Sequence, residues 1–184
     1  IGLKTMILHG ISVKSNTSKS LCVMDMPNNT YRSIKEAKKN VKLVVKQTKC
    51  DAVKMEYNGK NYKILESVVK LGIPVMGHIG FTPQHYKKFK VQGSSEKDRR
   101  RLLREAKENE KAGVFSIVVE CVPSNVAKEI TQSLKIPTIG IGASINCDGQ
   151  ILVTDDMLGL SGFYPRFVKK FARLNNIIEK GVQK

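Results

Sequence analysis

Acidic residues are scarce in this 184-residue chain: 16 Asp and Glu stand against 32 Lys and Arg, a formal charge of +16. Such an excess can mark a nucleic-acid-binding face. Here the lysines are spread over every helix-like segment with no aromatic-interleaved patch, so solvated helix faces account for them. Long apolar runs are also missing. The longest, such as Phe115 to Val119, fall far short of the ~20 residues that span a bilayer, so no membrane partner is expected. Cysteine is sparse and unpaired in sequence. Cys22, Cys50, Cys121 and Cys147 form no C-x-x-C, which removes the common zinc and redox motifs and leaves reduced thiols in a cytoplasmic setting as the expectation. The start, Ile1-Gly2-Leu3-Lys4, has neither an initiator Met nor the layout of a secretion signal. The stretch is therefore expected to lie inside a longer reading frame. What is present is ordinary for a globular protein: 41% apolar and 26% charged residues, too hydrophobic for disorder and long enough for a single domain over 1–184.

Short apolar runs alternate with longer amphipathic segments. The runs are Leu21–Met24, Ala52–Met55, Ile73–Met76, Phe115–Val119, Thr138–Ile141 and Ile151–Val153. Unbroken apolar runs of this length predict strands buried on both faces, as parallel strands are. Between them, Ser33-x-x-Glu36 reads as a capping box opening a helix with Ile34, Ala37, Val41, Val44 and Val45 on one face. Tyr62, Leu65, Val68 and Val69 make a second stripe, stopped by Gly72 and Pro74. Ser95-x-x-Asp98 caps a third, ended by Gly113. Ser124 is expected to cap a fourth, and Pro165 to open a last helix through Phe171 and Ile178. A further helix is expected around Met6 to Val13. The alternation predicts an α/β fold with a parallel sheet. About six strands suit an open doubly wound sheet. A (β/α)8 TIM barrel needs eight strands and typically ~250 residues, so a barrel would require roughly two βα units before Ile1.

Polar residues recur at the C-terminal ends of these strands, where parallel α/β proteins build their sites. Asp25 follows the first strand, Glu56 ends the second, Gly77-His78 follow the third and Glu120 ends the fourth. Lys54 and Glu56 share one strand face by parity. Buried there, they must pair with each other or bind something. Asp25, Glu56 and Glu120 at one mouth repel each other, and a divalent cation relieves that. Oxygen ligands without a Cys or His pair favour Mg²⁺ over Zn²⁺. His78 alone is equally consistent with a structural hydrogen-bonding residue.

Several ordered blocks then carry a resemblance. They include Val23-Met24-Asp25-Met26-Pro27 with Tyr31, Val53-Lys54-Met55-Glu56, and Val75 through Gln84. Further blocks are Lys90-Val91-Gln92-Gly93, Val119-Glu120-Cys121-Val122-Pro123, Ile136 through Ala143, Cys147-Asp148-Gly149-Gln150 and Pro165 through Lys169. Over essentially its whole length the chain resembles the ketopantoate hydroxymethyltransferase (3-methyl-2-oxobutanoate hydroxymethyltransferase) family of the phosphoenolpyruvate mutase-like superfamily. The resemblance implies a TIM barrel, incomplete here at about six of eight strands. It implies transfer of a hydroxymethyl group from 5,10-methylenetetrahydrofolate to 3-methyl-2-oxobutanoate in pantothenate biosynthesis, a Mg²⁺ requirement, a homodecamer and a cytoplasmic setting. By the same resemblance Asp25 and Glu56 are metal ligands, with Asp25 also near substrate. Lys54 and His78 line the substrate pocket, and Glu120 is the catalytic base.

The departures are specific. The family's first two βα units, with an Asp-Ser pair that adds a metal and substrate contact, and its C-terminal tail are not in this sequence, so the stretch alone is expected to be inactive. Tyr57-Asn58-Gly59 replaces a Gly-Gly after the metal-binding Glu, and Asn28 replaces a Phe. A lyase or mutase of the same superfamily, acting on another 2-oxo acid, is the nearest rival. A basic nucleic-acid-binding module is the rival of another class, and it would show binding that falls steeply with salt.

Overall fold

The computed structural model describes residues 1–184 apart from Lys87, Phe163 and Lys184. Its chain runs α1 (Leu3–Ser15), β1 (Val23–Asp25), α2 (Ile34–Thr48), β2 (Ala52–Glu56), α3 (Tyr62–Val69), β3 (Val75–Gly80), α4 (Glu96–Ala112), β4 (Ser116–Glu120), α5 (Ser124–Ser133), β5 (Thr138–Ile141), β6 (Gly149–Gln150), α6 (Thr154–Leu158) and α7 (Leu174–Val182). The six strands form one sheet in the order β1-β2-β3-β4-β5-β6, every neighbouring pair parallel. A doubly wound sheet reverses its strand order at a switch point. This one never does, so the chain winds in one direction, as in part of a (β/α)8 barrel. Among the described residues no helix is long and apolar enough to cross a membrane.

Register and parity assign the two faces of the sheet. Val53 and Met55 of β2, Ile79 of β3 and Ile117 and Val119 of β4 are fully buried, in one cluster with Val41 and Val44 of α2, Leu65 and Val68 of α3 and Leu102 of α4. These alternate residues face the helices. Gly77 belongs to the same set, and a Cβ there would overlap Oδ1 of the fully buried Asn109 on α4.

The predicted caps at α2 and α4 form. Ser33 Oγ accepts from the Glu36 N–H and Ser95 Oγ from the Asp98 N–H, both at 3.2 Å. The Glu36 carboxylate reaches back one residue further than a capping box requires, to the Arg32 N–H at 2.8 Å. Three expectations are corrected. Ser124 is not the cap of α5; Pro123 stands at that position, and Ser124 Oγ instead lies 3.0 Å from Ser144 Oγ. The last strand is Gly149–Gln150, not Ile151–Val153, because the chain leaves the sheet after Ile151 bonds Gly140 and then turns into α6. Pro165 opens no helix: residues 165–173 are irregular and α7 begins at Leu174. Phe167 is used against Gly142 instead of a helical face, and the Phe171 N–H is taken by the Met157 carbonyl.

The tight seam between β3 and α4 yields a stability prediction. Gly77→Ala must push Asn109 out of a fully buried position. It is expected to lower the unfolding free energy by about 2–3 kcal/mol, as overpacked cores do. Urea unfolding of the variant against the parent measures this, and an unchanged midpoint would show that the seam gives way freely.

Candidate active site at the strand ends

The second sheet face collects the polar residues. Asp25 lies in register with Lys54 and Glu56 with His78. His78 in turn lies in register with Val118, two residues before Glu120. Parity therefore puts Asp25, Lys54, Glu56, His78 and Glu120 on one face at the carboxyl ends of four adjacent strands. All five residues expected at the site meet there.

Their contacts form a chain. Lys54 Nζ is 2.9 Å from Asp25 Oδ2 and 3.2 Å from His78 Nδ1. His78 Nε2 lies 3.2 Å from Glu120 Oε2, and Nδ1 lies 4.0 Å from Glu56 Oε1. The intrastrand Lys54–Glu56 ion pair considered from the sequence gives way to the cross-strand pair with Asp25. Residues i and i+2 on a strand are ~6.6 Å apart along it, whereas register partners are ~4.8 Å apart. Exposure grades outward: the side chains of His78 and Glu56 are each 3% exposed, those of Lys54 and Glu120 17%, and that of Asp25 54%.

The tautomer of His78 follows from its neighbours. Burial holds the imidazole below its ordinary pKa, so the ring is neutral. An ammonium only donates, so Nδ1 accepts from Lys54 and the proton sits on Nε2. That N–H points towards Glu120, yet Nε2 has no aligned hydrogen-bond partner among the described residues. The Glu120 carboxylate at 3.2 Å is its nearest acceptor, off the line of an ideal hydrogen bond.

Glu56 is held differently. Its Oε2 accepts from the Gln84 backbone N–H at 3.0 Å, and its carbonyl accepts from Asn61 Nδ2 at 2.8 Å. Burial pushes its carboxyl up to about 7, against the opposing pull of the Lys54 charge and the Gln84 N–H; Asp25 and Glu120 raise it further. The two carboxylates Asp25 and Glu56 therefore feel one another, and both offer oxygen donors. That donor set fits a hard divalent cation, although among the described residues no three His, Cys, Asp or Glu side chains group into a complete metal cage.

Gln84 is the contact that sequence reasoning did not assign. Its side-chain amide donates to the Met26 carbonyl at 2.9 Å and accepts from the Tyr31 hydroxyl at 2.6 Å, while its backbone holds Glu56. It ties the loops after β1 and β3 to the end of β2. The only sequence signal was its place, with Tyr31, inside the matching blocks. A polar cavity of about 440 Å³ adjoins these loops, lined by Asn28, Tyr31, Asn61 and Gln84 among others. Tyr57, at the Gly-Gly departure, is buried and donates its hydroxyl to Glu108 Oε2 at 2.7 Å. That contact ties the altered loop to α4.

Comparison with known proteins identifies the family. The sequence model described as ketopantoate hydroxymethyltransferase matches residues 1–184. The chain is 50% identical over 184 residues to a 3-methyl-2-oxobutanoate hydroxymethyltransferase of Pelagibacter ubique (strain HTCC1062), covering all of this chain and 72% of that one. It is 46% identical over 188 residues to the enzyme of that name from Clostridioides difficile (strain 630), covering all of this chain and 68% of the relative. Among solved structures, a putative lyase/mutase from Burkholderia cenocepacia J2315 superposes with a TM-score of 0.60 at 9% identity, over 100% of this chain and 65% of that one. That likeness shows the fold alone: a parallel (β/α) barrel architecture.

The Glu56 carboxyl makes stability depend on pH in metal-free protein. Its folded-state value of about 7 lies above the ordinary carboxylate value of 4.5, so the folded state binds the proton more tightly than the unfolded chain does. The stabilisation is complete below the ordinary value and is lost as pH rises through about 7. Between pH 5 and pH 8 in chelator, the parent is expected to lose on the order of 2 kcal/mol more than Glu56→Gln does. Equal pH slopes for the two proteins would show that Glu56 ionises freely in the folded state.

Proposed function

The chain belongs to the ketopantoate hydroxymethyltransferase family, and from that premise we propose that its five strand-end residues are the site where 3-methyl-2-oxobutanoate gains a hydroxymethyl group to become 2-dehydropantoate, in pantothenate biosynthesis. The observation that carries this reading is the convergence of Asp25, Lys54, Glu56, His78 and Glu120 on one sheet face, with His78 Nε2 3.2 Å from the Glu120 carboxylate.

The reaction needs the C3 proton of the 2-oxo acid removed and the resulting enolate held. Glu120, 17% exposed at the edge of the cluster, is the base that takes that proton. The His78 Nε2–H, buried and pointed at the same spot, fixes the carboxylate or a substrate oxygen next to it. Lys54 places positive charge where the enolate oxygen develops. Asp25, the most exposed of the five, and Glu56 behind it are the two carboxylates that would hold Mg²⁺. When bound, the metal supplies Lewis-acid polarisation of the 2-oxo acid's carboxylate and keto oxygens. The carbon acceptor is the methylene of 5,10-methylenetetrahydrofolate. Net, that folate, the 2-oxo acid and water give tetrahydrofolate and 2-dehydropantoate.

In the full-length protein, Glu120→Gln separates chemistry from binding. It is expected to retain the 2-oxo acid while slowing exchange of its C3 proton with deuterated solvent by on the order of 10²–10⁴-fold. Glu56→Gln is expected instead to raise the Mg²⁺ concentration needed for half-maximal exchange at least tenfold. Proton NMR of 3-methyl-2-oxobutanoate reads both. Wild-type exchange by Glu120→Gln would assign the base elsewhere, and robust exchange in excess chelator would remove the metal role.

A further inference from the structure

A second feature opens one residue past the proposed base. Cys121 leaves β4 in the left-handed region, with φ 50°, and with it begins a cavity of about 450 Å³ whose other walls include Phe89, Val91, Gly142, Tyr164, Arg166 and Phe167. That volume lies within the range of small-molecule sites. The walls are flat and aromatic. The Phe167 ring lies against Gly142, where φ is +58° and a Cβ would overlap the ring. Phe89 packs on Phe81 with ring centroids 5.0 Å apart. Backbone bonds tie these walls to the catalytic strand: the Phe81 N–H donates to the Glu120 carbonyl at 2.8 Å and the Gln92 N–H to the Cys121 carbonyl at 2.9 Å.

The rim is cationic. Arg166 lines the cavity and is exposed, and Lys170 Nζ sits 3.3 Å from the centroid of the Tyr164 ring. The sequence has no acidic residue between Glu66 and Glu96 or between Asp156 and Glu179, so the charged side chains of both segments that line the cavity are all basic. Aromatic walls suit a planar heteroaromatic ring, and the cations suit carboxylates attached to it.

Resting on the hydroxymethyl-transfer reading above, we propose that this cavity is the cosubstrate site. The pterin-type ring lies against Phe89, Tyr164 and Phe167, and its carboxylate-bearing tail runs along Arg166 and Lys170. The carbon donor then approaches from the Cys121 side of Glu120, while the 2-oxo acid occupies the Asp25–Glu56 side.

The chain contains no tryptophan, so Phe167→Trp makes the cavity wall its sole indole, and Phe89→Trp provides a second reporter if the first fails to fold. Titrating the full chain with tetrahydrofolate, without 2-oxo acid, is expected to quench the indole emission saturably. Ile177→Trp, on the exposed face of α7, is expected to show only linear quenching. Adding Arg166→Glu to the reporter is expected to weaken tetrahydrofolate at least tenfold and a tail-less tetrahydropterin less than twofold. Linear quenching in both cavity reporters, or an Arg166→Glu effect equal for the two ligands, would overturn the proposal. Proton exchange by the full-length protein without folate reads the strand-end site separately. Exchange without saturable quenching removes the cavity assignment alone; saturable quenching without exchange removes the strand-end reading alone.

Discussion

One ammonium serves three carboxylates. Lys54 contacts Asp25 and His78 directly, which leaves Glu56 with a backbone N–H as its direct donor and Glu120 facing a neutral ring. The rest of the site follows from that shortage. Nδ1 of His78 must accept, so its proton lies on the Glu120 side. Glu56, fully buried and without a lysine of its own, is the carboxyl whose proton affinity rises. A site so short of positive charge is prepared for a cation, which costs less to seat here than in a neutral cluster.

The shortage arises from topology. Because the strands follow one another in sequence order without a reversal, every strand delivers its carboxyl end to the same rim. Alternate residues then point away from the helices together. Val53 and Met55 can be spent on the helix layer only because Lys54 and Glu56 are turned away from it, and the same alternation separates Ile117 and Val119 from Val118 and Glu120.

This is why the site was legible before the fold was known. An Asp or Glu at the end of an apolar run, repeated at Asp25, Glu56 and Glu120, is a pattern that strand parity converts directly into a shared face. The winding was not legible: six apolar runs fit a doubly wound sheet as well as a barrel, and only the pairing order decides. The partner of Lys54 was left open for a related reason, since sequence proximity to Glu56 says nothing about which residue lies across the ladder. Gln84 escaped because its role is carried by one backbone N–H and one side-chain amide, neither of which has a periodic signature. The segment from Pro165 to Arg173 reads as a helix because its apolar residues fall at helical spacing, but Phe167 is committed to Gly142 and the Phe171 N–H to Met157, contacts that local propensity cannot register.

The buried cysteines have a use beyond packing. All four thiols are free and shielded, and burial lifts Cys121 to about 12 and raises Cys50 as well, so neither reacts readily in the closed fold. Cys22 and Cys50 flank β1 and β2, whereas Cys121 and Cys147 flank β4, β5 and β6. Modification by an alkylating reagent must then wait for local opening. The molecule carries two pairs of native clocks, one at each end of the sheet, that time how often either end breathes.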